Sequence, residues 1–256
     1  MCKEMQMVAT EGGRLFITGN SSGLGQGITK AFLRRGGKVY GCCRRGCEVE
    51  GEQEDVRCDL SDFEAIPAAL DVLLGRLDSL DLVVLNAGVL GEIKPLHDTS
   101  VAELKQVFDI NLFANKIILD WLHQWGKPVA QIIMISSGAA VLGSKGWGGY
   151  ALSKASLNML ARLYAHEFQH THITALAPGL IDTAMMDYLC ETPDADEFPA
   201  LARLKEARGT ALMPEADQAG EQVLAVMPQL LGYPSGSFID IRQIIDPEEY
   251  NRVFNK

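Results

Sequence analysis

Residues 14–25 read RLFITGNSSGLG, and this stretch decides the fold. A short apolar run, RLFIT, meets a turn carrying Gly19, Gly23 and Gly25, and residues 25–35 then take a helical pattern. Strand, glycine turn and helix in that order open a βαβ unit. Gly19 permits a tight turn, Gly23 lets backbone approach a pyrophosphate, and Gly25 lets the helix pack closely on the strand. The amide groups along Asn20, Ser21, Ser22 and Leu24, together with the helix dipole, favour phosphate. A plain structural turn is the other reading of the same glycines.

The pattern repeats outward. Residues 38–43 (KVYGCC), 55–58 (DVRC), 80–85 (LDLVVL), 130–136 (AQIIMIS) and 171–177 (THITALA) read as strands, with a last one near 235–240. Residues 63–75, 101–124 and 150–169 have helical periodicity, whereas 44–54 (RRGCEVEGEQE) has none and predicts a loop or at most one turn. Uninterrupted apolar strands alternating with helices indicate a sheet covered on both faces. The expected fold is one doubly wound, Rossmann-type α/β domain over residues 1–256, with a mostly parallel central sheet flanked by helices. Ligands in such sheets bind beyond the carboxyl ends of the strands. The glycine turn, Asn86-Ala87-Gly88, Ser137 and Pro178-Gly179 all follow strands, so they should meet in one crevice.

A net charge of −10 disfavours nucleic acid and anionic membranes as partners. The start, MCKEMQMVATEGGR, is too polar for a signal peptide, and no apolar run reaches the ~20 residues of a membrane span. These features predict a cytoplasmic protein whose six cysteines are reduced thiols. Cys42, Cys43 and Cys47 lack the paired C-x2-C spacing of a zinc site, so no metal is expected there.

At the end of the second strand, an acid would accept from a ribose hydroxyl and select NAD. Here Cys43 is followed by Arg44 and Arg45, and guanidiniums suit a 2′-phosphate. That predicts NADP(H). Asp59, with Leu60 beside it, follows the third strand. It can accept from the adenine amino group, or it can cap the next helix together with Ser61.

Tyr150 and Lys154 form YxxxK, an i,i+4 pair on one helix face. Reduction of a carbonyl leaves an alkoxide that needs a proton. A tyrosine can supply it, but an unperturbed pKa near ~10 is high for work at neutrality. A nearby ammonium should lower it. Ser137, just past a strand end, can polarise the carbonyl oxygen.

These motifs together resemble the short-chain dehydrogenase/reductase family over residues 14–241. The resemblance rests on TGNSSGLG (18–25), NAG (86–88), Asn111 within FDINLF, Ser137 with Tyr150 and Lys154, and PGLIDT (178–183). It implies that Asn111 helps hold a water linking Lys154 to solvent, and that Lys154 bonds the nicotinamide ribose. It also implies that Ile181 and Thr183 contact the carboxamide, and that the chain forms a homodimer or homotetramer. Gly146-Trp147 and the ending SGSFID (235–240) are similar to sepiapterin reductases and benzil reductases, whereas the VDGG-like ending of many members is absent. In that likeness Asp240 anchors a polar substrate group; otherwise it is an ordinary strand-end carboxylate.

The expected function is NADP(H)-dependent reduction of a ketone or dicarbonyl, with a small-molecule carbonyl substrate. Residues 184–212, rich in Met and Leu, read as a helical hairpin or substrate lid, and suit an apolar or aromatic carbonyl. Two rivals stand beside it. The domain can bind NADP(H) as a sensor or scaffold with little chemistry. HEFQH (166–170) matches the zinc hydrolase pattern, which would put His166 and His170 on one helix face.

Overall fold

The structure is a computed structural model describing residues 12–191 and 194–254. Cys2 and the polar start fall in residues 1–11, outside those described, as do residues 192–193 of the lobe. Seven strands form one sheet: β1 (Arg14–Thr18), β2 (Lys38–Cys43), β3 (Gln53–Arg57), β4 (Leu80–Leu85), β5 (Val129–Ile135), β6 (His172–Ala177) and β7 (Ser237–Asp240). Their order is β3-β2-β1-β4-β5-β6-β7, and every pairing is parallel. The order reverses between β1 and β4, which is where doubly wound sheets leave a crevice.

The strands are apolar throughout because both faces are buried. Successive side chains point to opposite faces. Thus Phe16, Val83, Leu85, Ile132 and Met134 join one core. Leu15, Ile17, Leu82, Val84 and Ile133 join the other. The first core is covered by α2 (Ala65–Leu74), α4 (Ala114–Trp125) and α6 (Gly148–Glu167). The second is covered by α1 (Gly23–Arg34) and α9 (Ala216–Leu230). These last two helices touch through glycines: a Cβ on Gly27 would lie 1.9 Å from the Ala216 carbonyl oxygen.

β1, β2 and β4 begin and end where the sequence predicts, and residues 44–52 form the expected loop. Several boundaries differ. β3 starts at Gln53, because residues 53–57 pair in register with Val39 to Cys43. The expected helix over 101–124 is α3 (Val101–Phe108), a π-helical turn (Asp109–Phe113) and α4. Two short helices were not anticipated after β7: α10 (Arg242–Ile245) and α11 (Pro247–Phe254). A further short one, α5 (Ala139–Leu142), follows β5. The 184–212 segment is helical as expected, with α7 (Ala184–Glu191) and α8 (Ala200–Ala207). Among the described residues, no helix is long and apolar enough to cross a membrane.

Candidate functional site

A cleft of about 850 Å³ opens at the carboxyl ends of the strands. Its wall includes Gly19, Ser21, Ser22, Gly23 and Leu24 from the glycine turn, then Arg44, Arg45, Asp59 and Leu60. Asn86, Ala87, Gly88, Ser137, Tyr150, Lys154, Pro178, Gly179, Ile181 and Thr183 complete it. Segments spread over 165 residues of sequence therefore meet in one place, because each follows a parallel strand or opens a helix on that edge. Three expected residues are not on the wall. Gly25 lies behind the turn, where a Cβ would come 2.2 Å from the Gly19 carbonyl oxygen, so the close packing read from sequence is present. Asn20 is fully buried, and its Nδ2 donates to Asp55 Oδ1 at 2.7 Å. Asn111 is likewise fully buried.

The turn is stitched to β4 by Thr18, the first residue of the TGNSSGLG motif, to which the sequence reading gave no role of its own. The Thr18 hydroxyl accepts from the backbone N–H of Asn86 (3.0 Å) and Ala87 (3.1 Å). Asn86 returns its Nδ2 to the carbonyls of Thr18 (3.0 Å) and Gly19 (3.2 Å). The only sequence signal for this was position, a threonine ending β1 beside a strand that ends in NAG.

At one end of the cleft Arg44 and Arg45 are exposed, and among the described residues neither forms an ion pair. Arg45 donates to Ser22 Oγ at 3.4 Å. Cys43 ends β2, so no carboxylate stands at that strand end. Across the turn, a Cβ on Gly23 would lie 3.4 Å from Thr183 Cγ2, so the two walls face each other closely. These residues fit a dinucleotide and set two guanidiniums, with no carboxylate, at the end of β2. Asp59 does not cap α2, which starts six residues later. Its Oδ1 accepts from Ser61 N (2.9 Å) and Ser61 Oγ (2.8 Å). Those two bonds, backbone first, and the nearby Arg44 hold its carboxyl below the usual range.

At the other end lie the chemical groups. α6 carries Tyr150 and Lys154 one turn apart on the face toward the cleft. Lys154 is almost fully buried; Nζ donates to the Ile135 carbonyl at 2.7 Å and sits 5.7 Å from the Tyr150 ring centroid. Burial pushes its ammonium down to about 8. Burial also pushes the Tyr150 phenol up, and the hydrogen bond with Ser137 partly opposes that. Sequence reasoning expected Lys154 to lower Tyr150; here desolvation of both groups dominates instead.

Asn111 sits in the π-helical turn. Its Oδ1 accepts from Val89 N (2.8 Å), and its Nδ2 donates to the Val89 carbonyl (2.8 Å) and Ser153 Oγ (2.9 Å). It thus ties the loop after β4 to α6. A Cβ on Gly88 would lie 3.2 Å from Asn111 Oδ1 and 3.4 Å from Lys154 Nζ, so Gly88 is the shared neighbour of both.

Two rival readings of the sequence meet the geometry here. Asp240 is fully buried and bound by Arg242 through Nε (2.7 Å) and a terminal nitrogen (2.6 Å), so its carboxylate is engaged away from the cleft. α6 ends at Glu167, so His166 and His170 do not share a helix face. Among the described residues no group of three or more His, Cys, Asp or Glu side chains is placed to hold a metal. The apolar part of the wall was only partly read in advance: Val89, Trp147, Leu180, Met185, Met186 and Leu189 form it.

With this geometry in view, comparison with known proteins identifies the class. The short chain dehydrogenase pattern matches residues 14–194, so the chain belongs to that family of oxidoreductases, which use NAD or NADP. It is 27% identical over 243 residues to the (S)-benzoin-forming benzil reductase of Bacillus subtilis (strain 168), covering 90% of this chain and 98% of that one. It is 28% identical over 197 residues to an (S)-benzoin-forming benzil reductase of Saccharomyces cerevisiae (strain ATCC 204508 / S288c), covering 70% and 75%. The crystal structure of the KRED1-Pglu enzyme superposes with a TM-score of 0.73 at 25% identity, covering 89% of this chain and 100% of that chain.

Proposed function

We propose that this chain is an NADPH-dependent carbonyl reductase acting on apolar or aromatic ketones and dicarbonyls. The observation that carries the reading is the joint opening of Ser137, Tyr150 and Lys154 into the cleft that also holds Arg44 and Arg45. The benzil reductases among its relatives support an aromatic dicarbonyl as the substrate class. In this reading residues 1–256 act as one NADP-binding domain, and residues 184–212 are its substrate lobe.

NADPH, when bound, supplies a hydride to the carbonyl carbon. Arg44 and Arg45 hold its 2′-phosphate, and the amides of residues 20–24 take the pyrophosphate. Asp59 and Leu60 meet the adenine; Asn86, Ala87 and Gly88 flank the dinucleotide. Lys154 takes the nicotinamide ribose, and residues 178–183, through Ile181 and Thr183, take the carboxamide. The Ser137 hydroxyl polarises the carbonyl oxygen. Tyr150 Oη gives its proton to that oxygen as negative charge builds there. A phenol with the ordinary pKa near ~10 is already protonated at neutral pH, as a proton donor must be. The Lys154 ammonium stabilises the phenolate left behind, and Asn111 positions the loop and helix around it. A proton from solvent then restores Tyr150.

The test is consumption of NADPH and NADH against a panel of dicarbonyls, quinones and pterins. Wild type should favour NADPH and a dicarbonyl, and Tyr150→Phe should lose at least about a hundredfold in turnover. Arg44→Asp should shift the cofactor preference toward NADH by about tenfold or more. A wild-type preference for NADH would overturn the NADP reading. Tight NADPH binding without turnover, unaltered by Tyr150→Phe, would favour the sensor.

A further inference from the structure

Among the described residues, five buried side-chain polar atoms have no hydrogen-bond partner, and only Trp147 Nε1 belongs to a residue lining the cleft. An indole nitrogen can only donate. A buried donor left unpaired is costly, and native chains hold few of them. The indole ring lies beside the chemistry, with its centroid 6.2 Å from that of Tyr150 and its plane tilted by 56°. The side chains it packs on are apolar. Trp147 packs on an apolar cluster that includes Leu90, Ile93, Met186, Leu189 and Phe198. The cleft continues along this cluster, since Met186 and Leu189 line it too. Nε1 itself is closed off from solvent, so a ligand oxygen reaches it only when the adaptable methionine side chains of this wall give way.

We propose that Trp147 is a specificity-determining donor, whose Nε1–H takes a second oxygen of the substrate next to the carbonyl held by Ser137 and Tyr150. The class selected is the 1,2-dicarbonyl with apolar or aromatic arms. A ketone with one oxygen leaves the indole N–H unpaired, and such a mismatch is what gives a polar contact its discriminating power. The inference rests on the carbonyl-reductase reading above and adds the group that chooses among carbonyls.

The experiment compares benzil with deoxybenzoin, which keeps both rings and one carbonyl, in wild type and Trp147→Phe with NADPH. The variant keeps an aromatic ring and removes only the donor function and part of the area. For benzil, kcat/KM should fall by about tenfold, carried mainly by KM. For deoxybenzoin, which loses only packing area, it should fall by no more than about threefold, and an unchanged thermal midpoint shows that the variant is folded. An equal loss for both substrates, or no loss for benzil, overturns the role of the indole N–H and leaves the reductase reading standing. Failure of wild type to reduce either compound overturns both.

Discussion

In the proposed reaction, Lys154 is the residue on which both rate and stability should turn. Its ammonium is nearly fully buried, with the Ile135 carbonyl at 2.7 Å, and burial lowers its pKa from 10.5 to about 8. Below about 8 it is charged and can stabilise the Tyr150 phenolate; above it, that help is lost. Reduction at saturating NADPH should therefore be level near neutrality and decline as pH rises through about 8. The same shift has a sign for folding. Between about 8 and 10.5 the unfolded chain keeps a proton that the folded chain has released, so Lys154 makes stability rise with pH across that window. Below it, the buried charge weighs against the fold. Lys154→Met should abolish reduction yet raise the thermal midpoint at pH 7 by a few degrees; a lowered midpoint would contradict this. Little of it was legible in sequence. YxxxK fixes which side chains share a helix face, but desolvation depends on what α6 packs against.

At the scale of elements, legibility followed the clarity of the turns. β1 ends at a glycine turn and β4 at NAG, so both strand ends were readable. The helix over 101–124 was not resolved into parts, because a π-helical turn inserts without disturbing composition. Yet that turn holds Asn111, which a family likeness, and not periodicity, had singled out. The segment 184–212 shows a second limit. Its apolar residues were plain, but the ions that hold it are set by tertiary contact. Arg208, just past α8, pairs with Asp182 at 3.1 Å, with Asp187, and with Glu191 at 3.7 Å, so it joins α8 to the segment carrying Thr183 and α7. Partly exposed pairs stabilise a fold little. Their effect should instead be on how the lobe closes over substrate. Arg208→Ala is expected to raise KM for the carbonyl about threefold to tenfold, to leave NADPH affinity unchanged, and to shift the thermal midpoint little. High salt should produce part of the same KM increase in wild type and none in the variant. Equal losses in NADPH and carbonyl binding would show that Arg208 supports the whole cleft and not the lobe.

On the scale of the molecule, α6 is used on both sides. Its inner face carries Lys154, Leu157, Ala161 and Tyr164 into the core. Its outer face leaves Leu152, Met159 and Leu163 about half exposed, at 45%, 52% and 54%. Spacings of seven and four residues put these three on one stripe. Phe113, in the preceding π-helical turn, adds a further apolar side chain at 42% exposure. Single exposed leucines need no explanation, but an apolar stripe on a helix that also positions the chemistry does. A homodimer or homotetramer through this face would bury the stripe and brace the helix bearing Tyr150 and Lys154. Light scattering should then give a multiple of the 27.9 kDa chain mass. Met159→Glu with Leu163→Glu should return the mass to that of one chain, because two carboxylates per chain cannot be buried unpaired. Both substitutions lie on the outer face, so the variant should keep its secondary structure while losing turnover through a looser α6. A wild-type mass of one chain, or an unchanged multiple in the double variant, would rule this face out as the interface.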